Sequence, residues 1–379
     1  MKIGVDIRVL MDKYYSGVSE YTANLLTAIL RLDKENDYRL FYNSWHNLGP
    51  RLDKWGSDQA TVISTRWPNK VFNYLLQKVL AYPKLDKVLG GVDIFYAPHF
   101  NFIQLTKGVK RVITVHDLSF WRYPKFFSGR KNCWHRALSV KKMLCLADKI
   151  VAVSENTKND IIQLAGVSPE KIKVIYSGSN LIKREIGVAE ATEFLSARQI
   201  SGRFILYLGT IEPRKNISGL IQAFNNLKKD ARFKDLKLVL AGAKGWKSRA
   251  IYQEREKSPF KNDIIFLGYI SQKEKEILYS KGSVFVYPSF YEGFGFPPLE
   301  ALTYGLPVVC SNVSSLPEVV GEAAILINPF KIEEITRALE MVLVDEKLQS
   351  LLQEKGYERA KFFSWNKTAS EYLKLFKEL

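Results

Sequence analysis

The chain has 379 residues, a formal net charge of +17 at pH 7 and 46% hydrophobic residues. This length favours two domains over one, and no apolar run is long enough to span a bilayer. The three cysteines show neither metal-ligand spacing nor a disulfide pattern, and there is no Asp-x-Asp triplet, which argues against a metal-chelating site of that type. The charge predicts an anionic partner. Of nucleotides, acidic membranes and nucleic acid, nucleic acid is the least favoured because no nucleic-acid-binding module is present.

The first half of the chain alternates predicted strands with helical segments. The first helical segment, Glu20–Leu32, carries apolar residues at helical spacing, and Ser19 is a candidate cap. This alternation is typical of a doubly wound parallel sheet, whose ligands bind beyond the carboxyl ends of the strands. The predicted strands are Lys2–Val9, Tyr38–Tyr42, Thr61–Ser64, Asp93–Ala97, Arg111–Val115, Lys149–Val153 and Lys171–Tyr176.

Polar residues follow several of these strands. His116 and Asp117 come after Arg111–Val115, while His99 and Asn101 come after Asp93–Ala97. Their positions place them at the ligand-binding edge of the sheet, where we expect His99 and Asn101 to contact a ligand. Another strand end leads to Ser154, for which capping of the next helix is the favoured role.

Two basic segments bear on localisation. Pro68–Leu89 and Arg130–Lys142 mix apolar residues with lysine and arginine. Such helices can lie on anionic bilayers, although a core-facing apolar stripe with a solvated basic face is the more common arrangement. The N-terminus lacks the layout of a signal peptide. We therefore expect a cytoplasmic protein, with a peripheral position on the inner face of the membrane as a further possibility.

The second half begins after a predicted linker, Ser179–Gly202, which contains a helix through Val188–Ala197. A strand, Arg203–Gly209, then leads to the pair Arg214-Lys215. Adjacent cations at a strand end beside a helix start suit a diphosphate, because arginine offers a fork and lysine a point charge. A solvated basic turn is the alternative. Asn216 or Ser218 can cap the following helix.

The stretch Phe290–Glu300 dominates the second half. It follows an apolar strand, Val284–Tyr287, and combines a Gly-rich loop with a helix start at Pro298. Unpaired N–H groups and the helix dipole make such a start an anion site. The prolines have no N–H, so the donors must be Gly295 and Phe296, or Leu299 and Glu300. With Glu292 and Glu300 beside it, this site suits a sugar nucleotide.

The spacing Glu292…Glu300 resembles the E-x7-E signature of retaining glycosyltransferases with the GT-B fold, most closely glycosyltransferase family 4. Gly17, His116 and Arg214-Lys215 match further motifs of that family, and the resemblance covers nearly the whole chain. It implies an α/β protein with two Rossmann-like domains facing across a cleft and a C-terminal helix that crosses back to the first domain. We expect an acceptor-side domain over residues 1–182 with 363–379, and a nucleotide-sugar domain over 200–362.

The resemblance also implies roles for individual residues. Arg214 and Lys215 would grip the donor diphosphate, and Glu300 would bond the ribose. His116 and Glu292 would contact the donor sugar. Asp117 would orient the loop or the imidazole, or contact the acceptor. We assign His99 and Asn101 to the acceptor as well. We count His116, Arg214, Lys215 and Glu292 as catalytic. The expected donor-binding residues are Gly17, Val18, Gly209, Tyr269, Ile270, Phe294, Gly295, Phe296, Leu299 and Glu300.

The predicted activity is transfer of a hexose from a nucleotide sugar to a saccharide or lipid-linked saccharide, with neither cofactor nor metal. Resemblance to bacterial mannosyltransferases of polysaccharide assembly favours GDP-mannose, while UDP-hexoses and dTDP-rhamnose stay open. A glucosyl-, N-acetylglucosaminyl- or rhamnosyltransferase of the same family is the alternative, and a sugar-nucleotide epimerase is a second one. Nucleic acid is not an expected partner.

Overall fold

The structure is a computed structural model that describes residues 1–11, 17–46, 48, 52–179 and 184–379. The chain divides into two compact units. The first contains Met1–Leu118, Arg130–Gly178 and Ser364–Leu379, and the second contains Ser119–Gly129 and Ser179–Phe363. The C-terminal helix therefore belongs to the first unit. Ser119–Gly129 belongs to the second unit, a grouping that the sequence had not indicated.

The first unit is built on a parallel sheet of seven strands in the order β3-β2-β1-β4-β5-β6-β7. β1 lies between β2 and β4, so that Ile3 pairs with both Tyr38 and Ile94. This is a topological switch point, where doubly wound sheets bind ligands. The strands are β1 Lys2–Asp6, β2 Asp37–Asn43, β3 Ala60–Thr65, β4 Ile94–Ala97, β5 Lys110–Val115, β6 Lys149–Ala152 and β7 Ile172–Val174.

Helices follow the strands as predicted, with one local difference. α1 already begins at Gly17, so Ser19 lies inside the helix and donates to the Val9 carbonyl at 3.0 Å instead of capping. Ser154 does cap α7, accepting from the Thr157 N–H at 3.0 Å. The helices are α1 Gly17–Leu32, α2 Val71–Leu80 (a π-helix), α3 Leu85–Val88, α4 Ser119–Arg122, α5 Gly129–Leu138, α6 Val140–Cys145 and α7 Glu155–Asp160.

The second unit repeats this plan with six parallel strands in the order β10-β9-β8-β11-β12-β13. Its first strand, β8, again lies between two later neighbours, β9 and β11. All four residues of β11 are buried, as expected for a continuous apolar strand in a parallel sheet. The strands are β8 Phe204–Leu208, β9 Lys237–Ala241, β10 Ile264–Gly268, β11 Val284–Tyr287, β12 Val308–Ser311 and β13 Ala324–Ile327.

Helices also separate the strands of this second sheet, and the last helix returns to the first unit. The predicted linker helix is present with the predicted bounds. Among the described residues, no helix is both long and apolar enough to cross a membrane. The remaining helices are α8 Val188–Ala197, α9 Ile217–Leu227, α10 Arg249–Lys257, α11 Gln272–Lys281, α12 Phe296–Thr303, α13 Leu316–Val320, α14 Ile332–Val344, α15 Glu346–Lys361 and α16 Trp365–Lys377.

Candidate active site

Arg214 and Lys215 lie in a short turn, Pro213–Lys215, just beyond the carboxyl end of β8. Proline fixes the first residue of this turn in helical backbone geometry. The Lys215 side chain is buried, and its Nζ lies 2.6 Å from Glu292 Oε1 and 2.7 Å from the Tyr287 hydroxyl. The turn after β8 and the loop after β11 are therefore joined by a buried ion pair.

Arg214 is held from two sides. Its NH1 nitrogen donates to Glu292 Oε2 at 3.1 Å and to the Tyr291 carbonyl at 2.6 Å. On the other side, Nε and NH2 contact one oxygen of the buried Glu212 carboxylate. Arg214, Lys215, Glu292 and Glu212 thus form one cluster whose formal charges sum to zero.

The cluster strongly affects the ionisation of Glu292 and Lys215. Burial alone would raise the pKa of Glu292, but the charges of Arg214 and Lys215 hold it at about 2. Burial, together with the neighbouring Arg214, lowers the pKa of Lys215 below its ordinary value, against the opposing effect of Glu292. The carboxylate is therefore ionised at neutral pH, and a further anion beside Lys215 would favour its charged form.

The loop that carries Glu292 is braced by both of its neighbours in the sheet. The Phe290 N–H donates to the Arg214 carbonyl at 2.9 Å, and the Glu292 N–H donates to Ser314 Oγ at 2.9 Å. Ser315 Oγ lies 3.0 Å from the Glu292 carbonyl and 2.7 Å from the Phe294 carbonyl. These contacts fix the backbone on both sides of the carboxylate.

The helix start after this loop differs from the prediction in one respect. α12 begins at Phe296, one residue after Gly295, whose φ of +121° is a conformation that side chains rarely adopt. The Leu299 N–H bonds the Gly295 carbonyl at 3.3 Å, so it is used within the helix. A ligand would have to compete with the helix for this predicted donor.

Glu300 lies in α12, outside the Arg214 cluster. Only 1% of the residue is exposed. Its carboxylate lies 2.7 Å from Lys275 Nζ and accepts from the Tyr279 hydroxyl at 3.0 Å. The predicted ribose contact must therefore be made by a carboxylate that already has two partners.

Three further predicted donor residues follow β8 and β10. Gly209 has a φ of +154°, and its N–H donates to the Ala241 carbonyl at 2.9 Å. Tyr269 and Ile270 form the turn between β10 and α11, where the Tyr269 side chain is exposed. Asn216 precedes α9 in left-handed backbone geometry, but its side chain does not cap the helix; it donates to the Pro329 carbonyl at 2.7 Å.

His116 is the central predicted residue of the first unit. Its Nε2 lies 2.8 Å from the Pro98 carbonyl, which can only accept, so Nε2 carries the proton in the neutral ring. The ring stands edge to face with Tyr21 of α1, with centroids 4.7 Å apart. Burial lowers the pKa of His116 to about 4. The imidazole is therefore neutral at physiological pH and can accept a hydrogen bond only through Nδ1.

Gly17 and Val18 form the first turn of α1. A Cβ built on Gly17 would meet nothing within 4 Å among the described residues. Packing within the described structure therefore gives no reason for glycine at this position. The Val18 carbonyl accepts from the Thr22 hydroxyl at 2.9 Å, an ordinary contact inside the helix.

The predicted acceptor residues lie near a buried ion pair that the sequence reading missed. Arg8 contacts Asp6 at the end of β1, with NH2 2.6 Å from Oδ2, and also donates to the Phe102 carbonyl at 3.0 Å. Arg8 and the proximity of His99 lower the pKa of Asp6, against the effect of burial. Asn101 is buried and accepts from the Phe102 N–H at 2.9 Å. β1 ends at Asp6, whereas the predicted strand Lys2–Val9 placed both residues of the pair inside the strand.

The segment Ser119–Gly129 supports the Glu292 loop within the second unit. Phe126 stacks on Phe290, with ring centroids 5.6 Å apart. The ring centroids of Tyr123 and Tyr291 are 5.7 Å apart. The Trp246 indole donates to the Phe126 carbonyl at 2.7 Å. This segment follows His116 and Asp117 closely in sequence, yet its aromatic side chains pack against Phe290 and Tyr291, the residues just before Glu292.

No group of three or more His, Cys, Asp or Glu side chains suited to a metal ion occurs within the part of the chain that the structure describes. Arg214 and Lys215 are the cations predicted to bind the diphosphate. Each is already paired with a carboxylate.

The two parallel sheets, each with its first strand between two later ones, have the architecture of the GT-B fold. Sucrose-phosphate synthase from Thermosynechococcus elongatus has this fold, with a TM-score of 0.78 and 21% identity over 100% of this chain and 98% of that one. Residues 193–359 match the family model Glycosyl transferases group 1, and residues 15–182 match Glycosyltransferase Family 4. The chain therefore belongs to the glycosyltransferase family that these two models describe, and it is a glycosyltransferase.

Among its relatives is the O-antigen chain mannosyltransferase B of Escherichia coli, 34% identical over 297 residues, which are 78% of this chain and 75% of that protein. The serotype-specific mannosyltransferase WbdA of Escherichia coli is 30% identical over 266 residues, or 69% of this chain, but the match spans only 32% of WbdA. A Campylobacter jejuni N-acetylgalactosaminyltransferase acting on a diphospho-undecaprenol-linked saccharide is 29% identical over 319 residues, 81% of this chain and 82% of that protein.

Proposed function

We propose that this glycosyltransferase moves a mannosyl unit from GDP-mannose to a saccharide or lipid-linked saccharide, with retention of the anomeric configuration and without a metal. The observation that carries the proposal is the cluster of Arg214, Lys215 and Glu292 at the strand ends of the second unit. The mannosyltransferase relatives favour the sugar. UDP-hexoses and dTDP-rhamnose are the competing donors.

In this proposal the cations of Arg214 and Lys215 stabilise the departing diphosphate, as a divalent ion does in other transferases. The diphosphate competes with Glu292 for both cations, and the displaced carboxylate then accepts hydrogen bonds from the donor sugar hydroxyls. The N–H groups of Gly295 and Phe296 at the start of α12 add a partial positive charge. Tyr269 and Ile270 provide the backbone that holds the base, and Glu300 accepts from the ribose.

The reaction exchanges one bond at the anomeric carbon for another. The acceptor hydroxyl approaches on the face that the phosphate leaves, the bond from the anomeric carbon to the phosphate oxygen breaks, and the glycosidic bond forms. The acceptor proton passes to a phosphate oxygen, which gives the nucleoside diphosphate and the glycoside. His116, neutral through its low pKa, accepts from the donor sugar at Nδ1 and is not the base. Gly17, Val18 and Gly209 allow the ligand to approach the backbone, and His99, Asn101 and Asp117 serve the acceptor.

The donor can be identified by thermal stabilisation with GDP-mannose, UDP-glucose, UDP-N-acetylglucosamine and dTDP-rhamnose. At equal concentration, the ligand that binds the folded protein most tightly stabilises it most. We expect GDP-mannose to give the largest shift, and transfer to continue in EDTA with an unchanged anomeric configuration by NMR. Arg214→Ala and Lys215→Ala should each lower kcat by about 100-fold or more, whereas Lys229→Ala, an exposed lysine on the same unit, should not. Near-normal turnover in both cluster variants would refute the phosphate role.

A peripheral membrane position is the last part of the proposal, and α2 supports it. This helix directs apolar side chains outwards, with Val79 70% and Leu80 57% exposed. Lys78 is exposed on the same helix. The ring centroids of Tyr74 and Trp134 are 5.6 Å apart, so α2 lies beside α5, which belongs to the second basic segment. An exposed apolar face with basic residues suits an anionic bilayer, such as one holding a lipid-linked acceptor at the cytoplasmic face.

Sedimentation with vesicles tests this surface. We expect wild-type protein to bind vesicles containing phosphatidylglycerol more strongly than pure phosphatidylcholine vesicles, and binding to weaken with salt. Leu75→Glu with Val79→Glu should abolish binding. The matched control is Met341→Glu with Leu351→Glu, which alters two other exposed apolar residues in the second unit. Equal binding by both double variants would refute the proposed surface.

A further inference from the structure

A second buried ion pair lies in the second unit, apart from the Arg214 cluster. Lys275 Nζ is 2.7 Å from Glu300 Oε1, and the two side chains are 10% and 2% exposed. Burial of two opposite charges is costly unless their geometry is good and their remaining hydrogen-bonding groups are satisfied. A pair of this kind is weak evidence for stability, so its presence calls for a role.

The geometry shows what the pair does to Glu300. Lys275 and Tyr279 are four residues apart on α11, so they lie on the same face of that helix. Lys275 holds Oε1, while the Tyr279 hydroxyl donates to Oε2 at 3.0 Å. Tyr279 also lies 3.2 Å from the Pro297 carbonyl in the first turn of α12. The carboxylate is thereby fixed in both position and rotation.

The same helix is anchored beside the turn proposed to hold the base. Ser271, directly after Tyr269 and Ile270, is the N-cap of α11. It forms a capping box in which the side chains of Ser271 and Glu274 each accept from the other's backbone N–H. Such a box fixes a helix start. One rigid element therefore connects the base-binding turn to the carboxylate assigned to the ribose.

We infer that Lys275 is a positioning residue of the nucleotide site, holding Glu300 as an oriented carboxylate for the ribose hydroxyls of the donor. The inference rests on the proposed function, which assigns the ribose to Glu300. Each carboxylate oxygen has two lone pairs, so both can still accept from a ribose hydroxyl while bonded to Lys275 and Tyr279. Lys275 does not itself contact the nucleotide.

The test compares ligands that differ only in the ribose. Binding of GDP and of 2′,3′-dideoxy-GDP is measured by calorimetry, with the corresponding UDP pair in parallel. Wild-type protein should prefer the ribonucleotide by about 10-fold or more, because hydrogen bonds to a charged acceptor are among the stronger ones. In Lys275→Met this preference should fall towards one, since the carboxylate is no longer held in place.

Two further variants keep the test decisive if Lys275→Met folds poorly. Tyr279→Phe removes only the hydroxyl on Oε2 and should reduce the ribose preference partially. Lys273→Met changes a lysine on the same helix whose side chain is 75% exposed and pairs with Glu190, and it should leave the preference unchanged. Circular dichroism verifies folding in each case.

The outcomes separate this inference from the proposed function. If wild-type protein binds none of the nucleotides, or binds both members of each pair equally, the proposed donor site or its ribose contact is wrong. If wild-type protein prefers the ribonucleotide and Lys275→Met and Tyr279→Phe, correctly folded, keep the whole preference, the positioning role is wrong. Loss of affinity for both members of a pair by the same factor in Lys275→Met would indicate a structural ion pair and would also overturn it.

Discussion

One carboxylate oxygen of Glu212 accepts from two nitrogens of Arg214, Nε at 3.1 Å and NH2 at 2.9 Å. Glu212 is only 1% exposed, and its other oxygen has no hydrogen-bond partner among the described residues. A buried carboxylate with an unsatisfied oxygen is costly. The arrangement therefore indicates that Glu212 orients the guanidinium, with NH1 directed to Tyr291 and Glu292.

Glu212→Gln tests this orientation. Glutamine keeps the size of the side chain but removes the charge that holds the guanidinium, so we expect kcat/KM for the donor to fall by about 10-fold. The fold should be retained. Asp230→Asn is the matched control, because Asp230 binds Nε and NH2 of Arg232 in the same way on an exposed surface. An unchanged kcat/KM in Glu212→Gln would contradict the orienting role.

Much of the fold could be predicted because buried parallel strands are continuous apolar runs bounded by turn residues. β11 and helix α8 have the bounds that the sequence predicts. The GT-B fold and the family are confirmed. β1 ends at Asp6 where Val9 was predicted, and α1 begins at Gly17 where Glu20 was predicted. Periodicity alone does not fix where the hydrogen bonding of an element begins or ends.

The partners of the site residues could not be predicted, because they come from distant parts of the chain. Lys275 and Ser315 are ordinary polar residues in sequence, and only the fold places them against Glu300 and the Glu292 loop. The sequence left open whether Pro68–Leu89 directs its apolar residues to the core or outwards, and the π-helical geometry of α2 was not predicted. The assignment of Arg214, Lys215 and Glu292 to the donor stays a prediction.

Gly17→Ala separates ligand binding from folding. A Cβ here meets no described residue within 4 Å, and alanine favours a helix more than glycine does, so stability should be equal or slightly higher. If the donor approaches the backbone at Gly17, the added methyl group should lower kcat/KM by about 10-fold or more. Gly129→Ala is the control, because Gly129 is also the first residue of a helix with no neighbour near its Cβ. Full activity in Gly17→Ala would rule out a close approach.

The low pKa of His116 makes stability depend on pH. The folded ring has a pKa of about 4 against 6.5 in the unfolded chain, so between these values the unfolded state binds more protons. Stability should therefore be complete above pH 6.5 and decrease as the pH falls towards 4. We expect a loss of about 1–3 kcal/mol from this group, reduced by the part of the residue that water reaches.

Urea unfolding at pH 7.5 and at pH 5 measures this effect. His116→Gln should flatten the decrease between the two values, because glutamine does not titrate. His46→Gln, which replaces an exposed histidine of the same unit, should keep the wild-type decrease. An equal decrease in His116→Gln and wild type would show that the ring is not held neutral.

The hydroxyl of Tyr372 links the C-terminal helix to the sheet and to α1. It lies 2.7 Å from the Tyr21 hydroxyl, 2.5 Å from Thr114 Oγ1 and 3.3 Å from the Tyr96 hydroxyl, and all four residues are buried. Tyr372→Phe leaves the ring packing intact but deprives three buried hydroxyls of a partner. We expect the first unit to lose about 1–3 kcal/mol in urea unfolding. Tyr82→Phe, at a residue 67% exposed, should cost nothing measurable.

Tyr372→Phe should also lower kcat, because Tyr21 stands against the His116 ring and the hydroxyl cluster would be loosened. A Tyr372→Phe variant with unchanged stability would mean that the hydroxyl network contributes nothing to the docking of the C-terminal helix.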